Sequence, residues 1–327
     1  MSSVKDCKNR EITAVIDHLT ELSQKIISAP ADIALRRRLL DEYFAVSDET
    51  VQLTLKPNVV QVGIRNGYWF VPEQFDGQHF MLYIHGGSWM SGSIKGWQAF
   101  MGRLATACEC AILFIDYSLM PEAPFPAGLN DCLMAYQWLR ENEPDGRLTG
   151  ISYPQSESKK FFIAGDSAGG NLTLASLLAI KEQGLIMPNA AVAISPCTDF
   201  TASGASMKSR QAIDPIINAK AIPLLGASYM LQSEFDPTYP LASPLFGDLT
   251  GLPPVMIQTG EAEVLFDDSV RFAEKAQQAG VSIVLDTWPD MPHVFQGFAP
   301  YLPQAVKAID GINQFLKCPL GELQKRT

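Results

Sequence analysis

A chain of 327 residues with 47% hydrophobic content can fill one large core, and its net charge of -10 points away from two partner classes. Nucleic acid and anionic membrane surfaces both need clustered Lys and Arg, so a small-molecule substrate is expected instead. The charged stretch Met1–Arg10 lacks the apolar run of a signal peptide, and no later run approaches the ~20 residues of a membrane span, so the expected location is cytoplasmic with no integral membrane segment. Six cysteines (Cys7, Cys108, Cys110, Cys132, Cys197, Cys318) are scattered too widely for a disulfide framework and read as buried thiols. Cys108-Glu109-Cys110 has no second Cys or His pair at ligand spacing, so no metal site is expected.

In chain order, about the first 50 residues read as helical: Ile12, Val15, Ile16 and Leu19 fall at helix spacing, and a second basic segment follows around Leu35–Tyr43. Strand-like runs then alternate with helical patterns, at roughly Val59–Arg65, Phe80–Ile84, Ala111–Asp116, Phe161–Ala164, Ala191–Ile194, Val255–Thr259 and Ser282–Thr287. Several of these runs are short, apolar and unbroken, as central strands of a largely parallel sheet are, and the helices between them (168–183, 267–279 and 303–316 the clearest) supply the crossovers. Asp199–Glu234 interrupts the alternation with helical patches around Asn218–Leu231. An insertion beyond the C-terminal strand ends would cover the place where such sheets bind ligands, so a lid or cap is expected there. No repeat, low-complexity tract or long linker divides the chain, and residues 1–327 are read as a single α/β domain.

Phe161–Ala164 leads into Gly165-Asp166-Ser167-Ala168-Gly169-Gly170 and then an apolar helix pattern. A serine on a tight strand-to-helix turn needs neighbours without side-chain bulk, and the helix start behind it favours negative charge developing there. Serine needs a base, and histidine is best poised for that near neutrality. Of the four histidines, His18, His79 and His85 precede Ser167; in this type of sheet the base follows the serine, which leaves His293 in the turn-rich Pro289–Phe295 loop. The base needs an orienting carboxylate from a loop after another strand. Glu261, Glu263, Asp267 and Asp268 follow Val255–Thr259; the last two open a helix and are explained as capping or dipole partners, so Glu263 is favoured, with Asp267 next. His85-Gly86-Gly87-Ser88-Trp89 follows a strand, and its glycines let amides converge, giving Gly86, Gly87 and Ala168 as expected oxyanion donors and His85 as a structural residue. Trp89, Met90, Phe200, Phe266 and Val294 are the expected pocket walls.

These motifs, with Asp116-Tyr117-Ser118-Leu119-Met120-Pro121-Glu122-Ala123-Pro124-Phe125-Pro126-Ala127 and Leu252-Pro253-Pro254, resemble the hormone-sensitive-lipase-like group of α/β hydrolases, the bacterial family IV esterases. The resemblance runs from about Tyr83 to Phe298. It implies an α/β-hydrolase fold with an eight-stranded, mostly parallel sheet flanked by helices, and a helical cap from about residues 1–50 plus 199–234. It implies hydrolysis of short-chain acyl esters without a cofactor, through an acyl-enzyme. A homodimer is admissible. Ser88, Ser118, Val294 and Glu263 depart from the group's usual Gly, Arg, Gly and Asp. Rival readings are an amidase, deacetylase or acyltransferase on the same residues, or a catalytically silent small-molecule binder, against which the retained His293 argues. A trypsin-like arrangement would place base and acid before the serine in an antiparallel β fold, which the parallel pattern rejects.

Overall fold

Unbroken apolar runs in the middle of the chain become strands buried on both faces: all five residues of Ala111–Ile115 and of Ala190–Ile194 are buried, as are six of the seven of Lys160–Asp166. In the computed structural model, which describes residues 4–29, 32–45, 55–146, 150, 153–154, 156–231 and 236–319, eight strands form one sheet. They are β1 (Asn58–Val62), β2 (Arg65–Phe70), β3 (His79–Ile84), β4 (Ala111–Ile115), β5 (Lys160–Asp166), β6 (Ala190–Ile194), β7 (Val255–Gly260) and β8 (Ile283–Trp288), in the order β1-β2-β4-β3-β5-β6-β7-β8. Only β2 runs against its neighbours; β4, β3, β5, β6, β7 and β8 pair in parallel, so their C-terminal ends share one edge.

The helices among the described residues are α1 (Val4–Ser28), α2 (Ile33–Leu40), α3 (Ile94–Cys108), α4 (Ala127–Glu141), α5 (Ala168–Glu182), α6 (Ser206–Ser209), α7 (Ala221–Tyr229), α8 (Phe266–Gln278) and α9 (Pro303–Lys317). Two apolar clusters fill the two faces of the sheet: Leu82, Leu113, Ile163 and Leu172 belong to one, and Met81, Ile112, Phe162 and Val192 to the other. The alternation follows from the strand period of two. Val15, Leu19 and Leu22 of α1 join the second cluster, packed with Trp97 and Phe100 of α3 and with Phe298. Their spacing puts one stripe of α1 against the body, and each fully buried Val or Leu contributes about 1.5–3 kcal/mol. A charge at position 19 would be buried there without a partner. α9 starts on Pro303, where the missing N–H costs nothing, and buries Ala305, Ala308, Ile309 and Ile312 on the same face.

Three expectations change. The run Val59–Arg65 is not one strand: Gly63, at φ +59°, turns the chain and Arg65–Phe70 returns as β2. The Asn66-Gly67 pair inside that strand looks like a turn, but the residue that needs no Cβ is Gly67, whose added Cβ would stand 2.7 Å from Val62. Among the cysteines, Cys108, Cys110, Cys132 and Cys197 are buried free thiols, whereas Cys318 is exposed. Asp268 lies in the first turn of α8 but does not cap it: buried, it accepts the Thr198 and Asp199 N–H groups at 2.7 and 3.0 Å. It thereby anchors the root of the insertion, and burial pushes its pKa up to about 8. Parts of the expected cap, residues 1–3, 30–31, 46–50 and 232–234, lie outside the described residues. No helix among the described residues is long and apolar enough to cross a membrane.

Candidate active site

β5 lies at the centre of the parallel edge, between β3 and β6, and Ser167 follows its last residue. The chain reverses there so sharply that Ser167 sits at φ 54°, ψ -116°, a strained conformation for a residue with a Cβ. Two glycines make the turn possible by close approach. A Cβ on Gly165 would stand 2.4 Å from the Gly169 carbonyl oxygen, and one on Gly169 would stand 1.9 Å from that of Ile84. α5 then starts at Ala168, so its first amides surround the serine.

The loop after β8 brings His293 to this point: its Nε2 is 2.9 Å from Ser167 Oγ. On the other side of the ring, His293 Nδ1 hydrogen-bonds to Glu263 Oε2. Glu263 comes from the loop after β7 and is fully buried. Its second oxygen accepts from Thr259 Oγ1 at 2.6 Å, Ser195 Oγ at 2.8 Å and the Gly260 N–H at 2.8 Å. Burial would raise the Glu263 pKa, but the His293 charge and these hydrogen bonds outweigh it and lower it. Burial likewise opposes a charged His293, yet Glu263 first, then Asp214 and Asp166, raise the His293 pKa above its ordinary value. Tyr43 Oη donates to the His293 carbonyl at 2.7 Å and fixes the loop from the α2 side. Val294, where the related group carries glycine, takes the left-handed φ of 52°. The alternative acid, Asp267, is turned away: its carboxylate accepts the Ser206 N–H at 2.9 Å.

The loop after β3 faces Ser167 from the opposite side. His85 is buried between Tyr117 and Phe114, with ring centroids at 4.4 and 5.3 Å, and its Nδ1–H donates to the Gly86 carbonyl at 2.7 Å. Burial pushes its pKa down to about 4 against that hydrogen bond. Gly87, at φ +108°, has no room for a side chain, since a Cβ would meet the Ser91 carbonyl oxygen at 2.3 Å. Gly86 is placed differently: the Asp166 carboxylate stands 2.3 Å from where its Cβ would be, and the Gly86 amide stabilises that carboxylate. Asp166 also accepts from Tyr83 Oη at 2.8 Å and Trp97 Nε1 at 2.9 Å; burial, the larger influence, still lifts its pKa to about 6.

Ser167 and His293 open onto a cavity of about 640 Å³, the size of a small-molecule site. α1 contributes Ser23, Ile26 and Ile27; Tyr43 and Phe44 follow α2; Gly87, Ser88 and Met90 come from the loop after β3; and Gln211 and Asp214–Asn218 come from the insertion. Met90 and Val294 thus stand on the wall as expected. Trp89, Phe200 and Phe266 do not. Trp89 turns inward at φ 58° and packs at 5.0 Å on Phe200 and 5.1 Å on Tyr229. Phe266 lies under the Arg210 guanidinium at 4.1 Å. Residues beyond sequence reach are Asp166, Tyr43, Ser195, Thr259 and Asp214; only Asp166, inside the Gly-Asp-Ser motif, had a local signal.

A family model described as alpha/beta hydrolase fold matches residues 81–297. An acetyl-hydrolase of Streptomyces hygroscopicus is 38% identical over 266 residues, covering 81% of this chain and 84% of its own. An esterase of Acinetobacter venetianus is 32% identical over 279 residues, covering 85% and 87%. A solved esterase of the bacterial hormone-sensitive lipase family superposes with a TM-score of 0.82 at 34% identity, over 95% of this chain and 99% of that one. The chain therefore belongs to the α/β hydrolases, in the hormone-sensitive-lipase-like group. It is a serine hydrolase of carboxylic esters.

Proposed function

We propose that Ser167 is the nucleophile, His293 the general base and Glu263 the orienting acid, acting on esters of short acyl groups. The observation that carries this reading is the unbroken line from the Ser167 hydroxyl through both nitrogens of His293 to the buried Glu263 carboxylate. His293 Nε2 takes the Ser167 proton as Oγ attacks the ester carbonyl carbon, and the tetrahedral oxyanion forms against the amides of Gly87, Ser88 and Ala168. Gly87 and Ser88 face the cavity, so Ser88 stands in this reading where Gly86 was expected. His293 returns the proton to the departing alcohol, leaving an acyl-enzyme. Water, deprotonated by His293, then releases the acid. Each oxyanion donor is worth about 3–4 kcal/mol in the transition state.

α1, α2 and the insertion act as a cap over the cavity, since all three supply its walls. The short-acyl preference is supported by the acetyl-hydrolase named among the relatives. The test is hydrolysis of p-nitrophenyl esters of increasing acyl length by wild type, Ser167→Ala and His293→Ala. Activity confined to short chains and reduced on the order of 10⁵-fold or more in each variant is expected. Substantial activity in Ser167→Ala, or none in wild type, refutes the reading.

A further inference from the structure

The loop that carries Glu263 is gripped by side chains of the insertion. Val264, the next residue, is fully buried; its N–H donates to Asp214 Oδ2 at 2.8 Å and its carbonyl accepts from Ser206 Oγ at 2.5 Å. The same hydroxyl accepts the Asp267 N–H at 3.0 Å, while Asp267 accepts the Ser206 N–H at 2.9 Å. Asp214 works in two directions at once. Its Oδ1 accepts the Ile216 and Ile217 N–H groups at 3.0 and 2.8 Å, folding the turn whose residues Pro215, Ile216 and Ile217 face the cavity.

We propose that Asp214, assisted by Ser206, is a positioning residue that fastens the acid loop to the substrate-facing wall, so that Glu263 keeps its alignment on His293 only while the 214–217 turn is in place. The proposal rests on the assignment of Glu263 as the orienting acid. A bound ester pressing on Ile216 and Ile217 would then steady the acid from 50 residues away in sequence. The remaining contacts of Glu263, from Thr259, Ser195 and Gly260, hold its second oxygen to the sheet edge. They do not reach the peptide unit that follows it: its N–H donates to Asp214 and its carbonyl accepts the Phe266 N–H at 3.3 Å, while Ser206 holds the carbonyl of the next unit, that of Val264. Asp214 also faces His293, together with Glu263 and Asp166, while Tyr43 is the buried phenol near all three carboxylates.

The test measures kcat, KM and the pH dependence of kcat/KM for p-nitrophenyl acetate on the full chain, with Asp214→Ala, Asp214→Asn and Ser206→Ala in wild-type and Glu263→Gln backgrounds. In the wild-type background Asp214→Ala should lower kcat about 10- to 100-fold with KM nearly unchanged, the loss that a misplacement of the order of an ångström produces. Ser206→Ala should lower kcat less and leave the acid limb of the profile in place; Asp214→Asn, which removes a negative charge facing His293, should move that limb to lower pH. In the Glu263→Gln background each change should cost no more than about twofold, because residues acting through one partner are not additive. Folded variants with wild-type kcat, or losses of full size without Glu263, overturn the proposal. If Asp214→Ala does not fold, Ser206→Ala keeps every charge and decides by the same comparison. Failure of the underlying assignment shows separately, as a Glu263→Gln enzyme with undiminished kcat.

Discussion

The centre of the sheet and the segments that wall the cavity are built on different terms. From Phe162 to Ala164 on β5 the chain is at most 1% exposed, and at Gly165 and Gly169 in the turn after it carbonyl oxygens stand where a side chain would go. The wall segments instead leave large apolar side chains in solvent: Ile27 is 74% exposed, Leu224 69% and Ile213 54%. Their amphipathic faces are divided between the body and the cavity mouth. The contrast separates two tasks. The reacting serine is carried on the part packed on every side, and the cavity wall is carried on segments that leave apolar side chains exposed, with Asp214 as the buried tie between the two.

That division can be broken at its rigid end first. Glu263→Gln should lower kcat/KM on the order of 10⁴-fold, while Asp267→Asn, whose carboxylate faces Ser206, should cost far less. The same Gln change should alter the pH profile. His293 must be neutral to take a proton, so activity rises as pH climbs through its raised pKa; removing the charge of Glu263, the strongest influence holding that pKa up, moves the rise to lower pH. The opposite ranking of the two variants in a stopped-flow esterase assay would move the acid to Asp267. Gly169→Ala should be next in severity. With the Ile84 oxygen 1.9 Å from the new Cβ, the loss of folding free energy is expected to exceed about 4 kcal/mol by chemical denaturation, and a near-native midpoint would mean that the turn yields. At the slack end, Leu224→Ser removes an exposed methyl-rich side chain and should change stability by no more than about 0.5 kcal/mol. A larger drop there would show that the wall is as tightly built as the sheet.

The two ends were not equally legible. Ser167 could be read because a serine between glycines, after an apolar strand and before an apolar helix, satisfies a steric demand written in consecutive residues. His293 could be read by elimination in chain order. The position of Glu263 followed from the end of a strand, and in the folded chain it is the carboxylate that meets the imidazole. Pocket walls were read less well. Adjacency to a motif says nothing about which way a side chain turns, so Trp89 was assigned to the cavity while its left-handed backbone sends it into an aromatic cluster. β2 is absent from the expected strands because Val59–Arg65 reads as one run, whereas Gly63 turns the chain within it. Tyr43 and Asp214 were out of reach for another reason: they act on backbone groups 250 and 50 residues away, and a backbone amide leaves no trace in residue identity.

The stacked His85 carries a liability for handling the enzyme in mild acid. Its pKa of about 4 in the folded chain lies below the ordinary 6.5, so the unfolded chain takes up a proton first. Its contribution to stability is whole above pH 6.5 and drains away as the pH falls towards 4. The proton that arrives must be forced between Tyr117 and Phe114, directly beneath the glycine loop. Storage buffers near pH 5 should therefore age this enzyme from inside the loop after β3, with an uncharged ring at position 85 as the remedy.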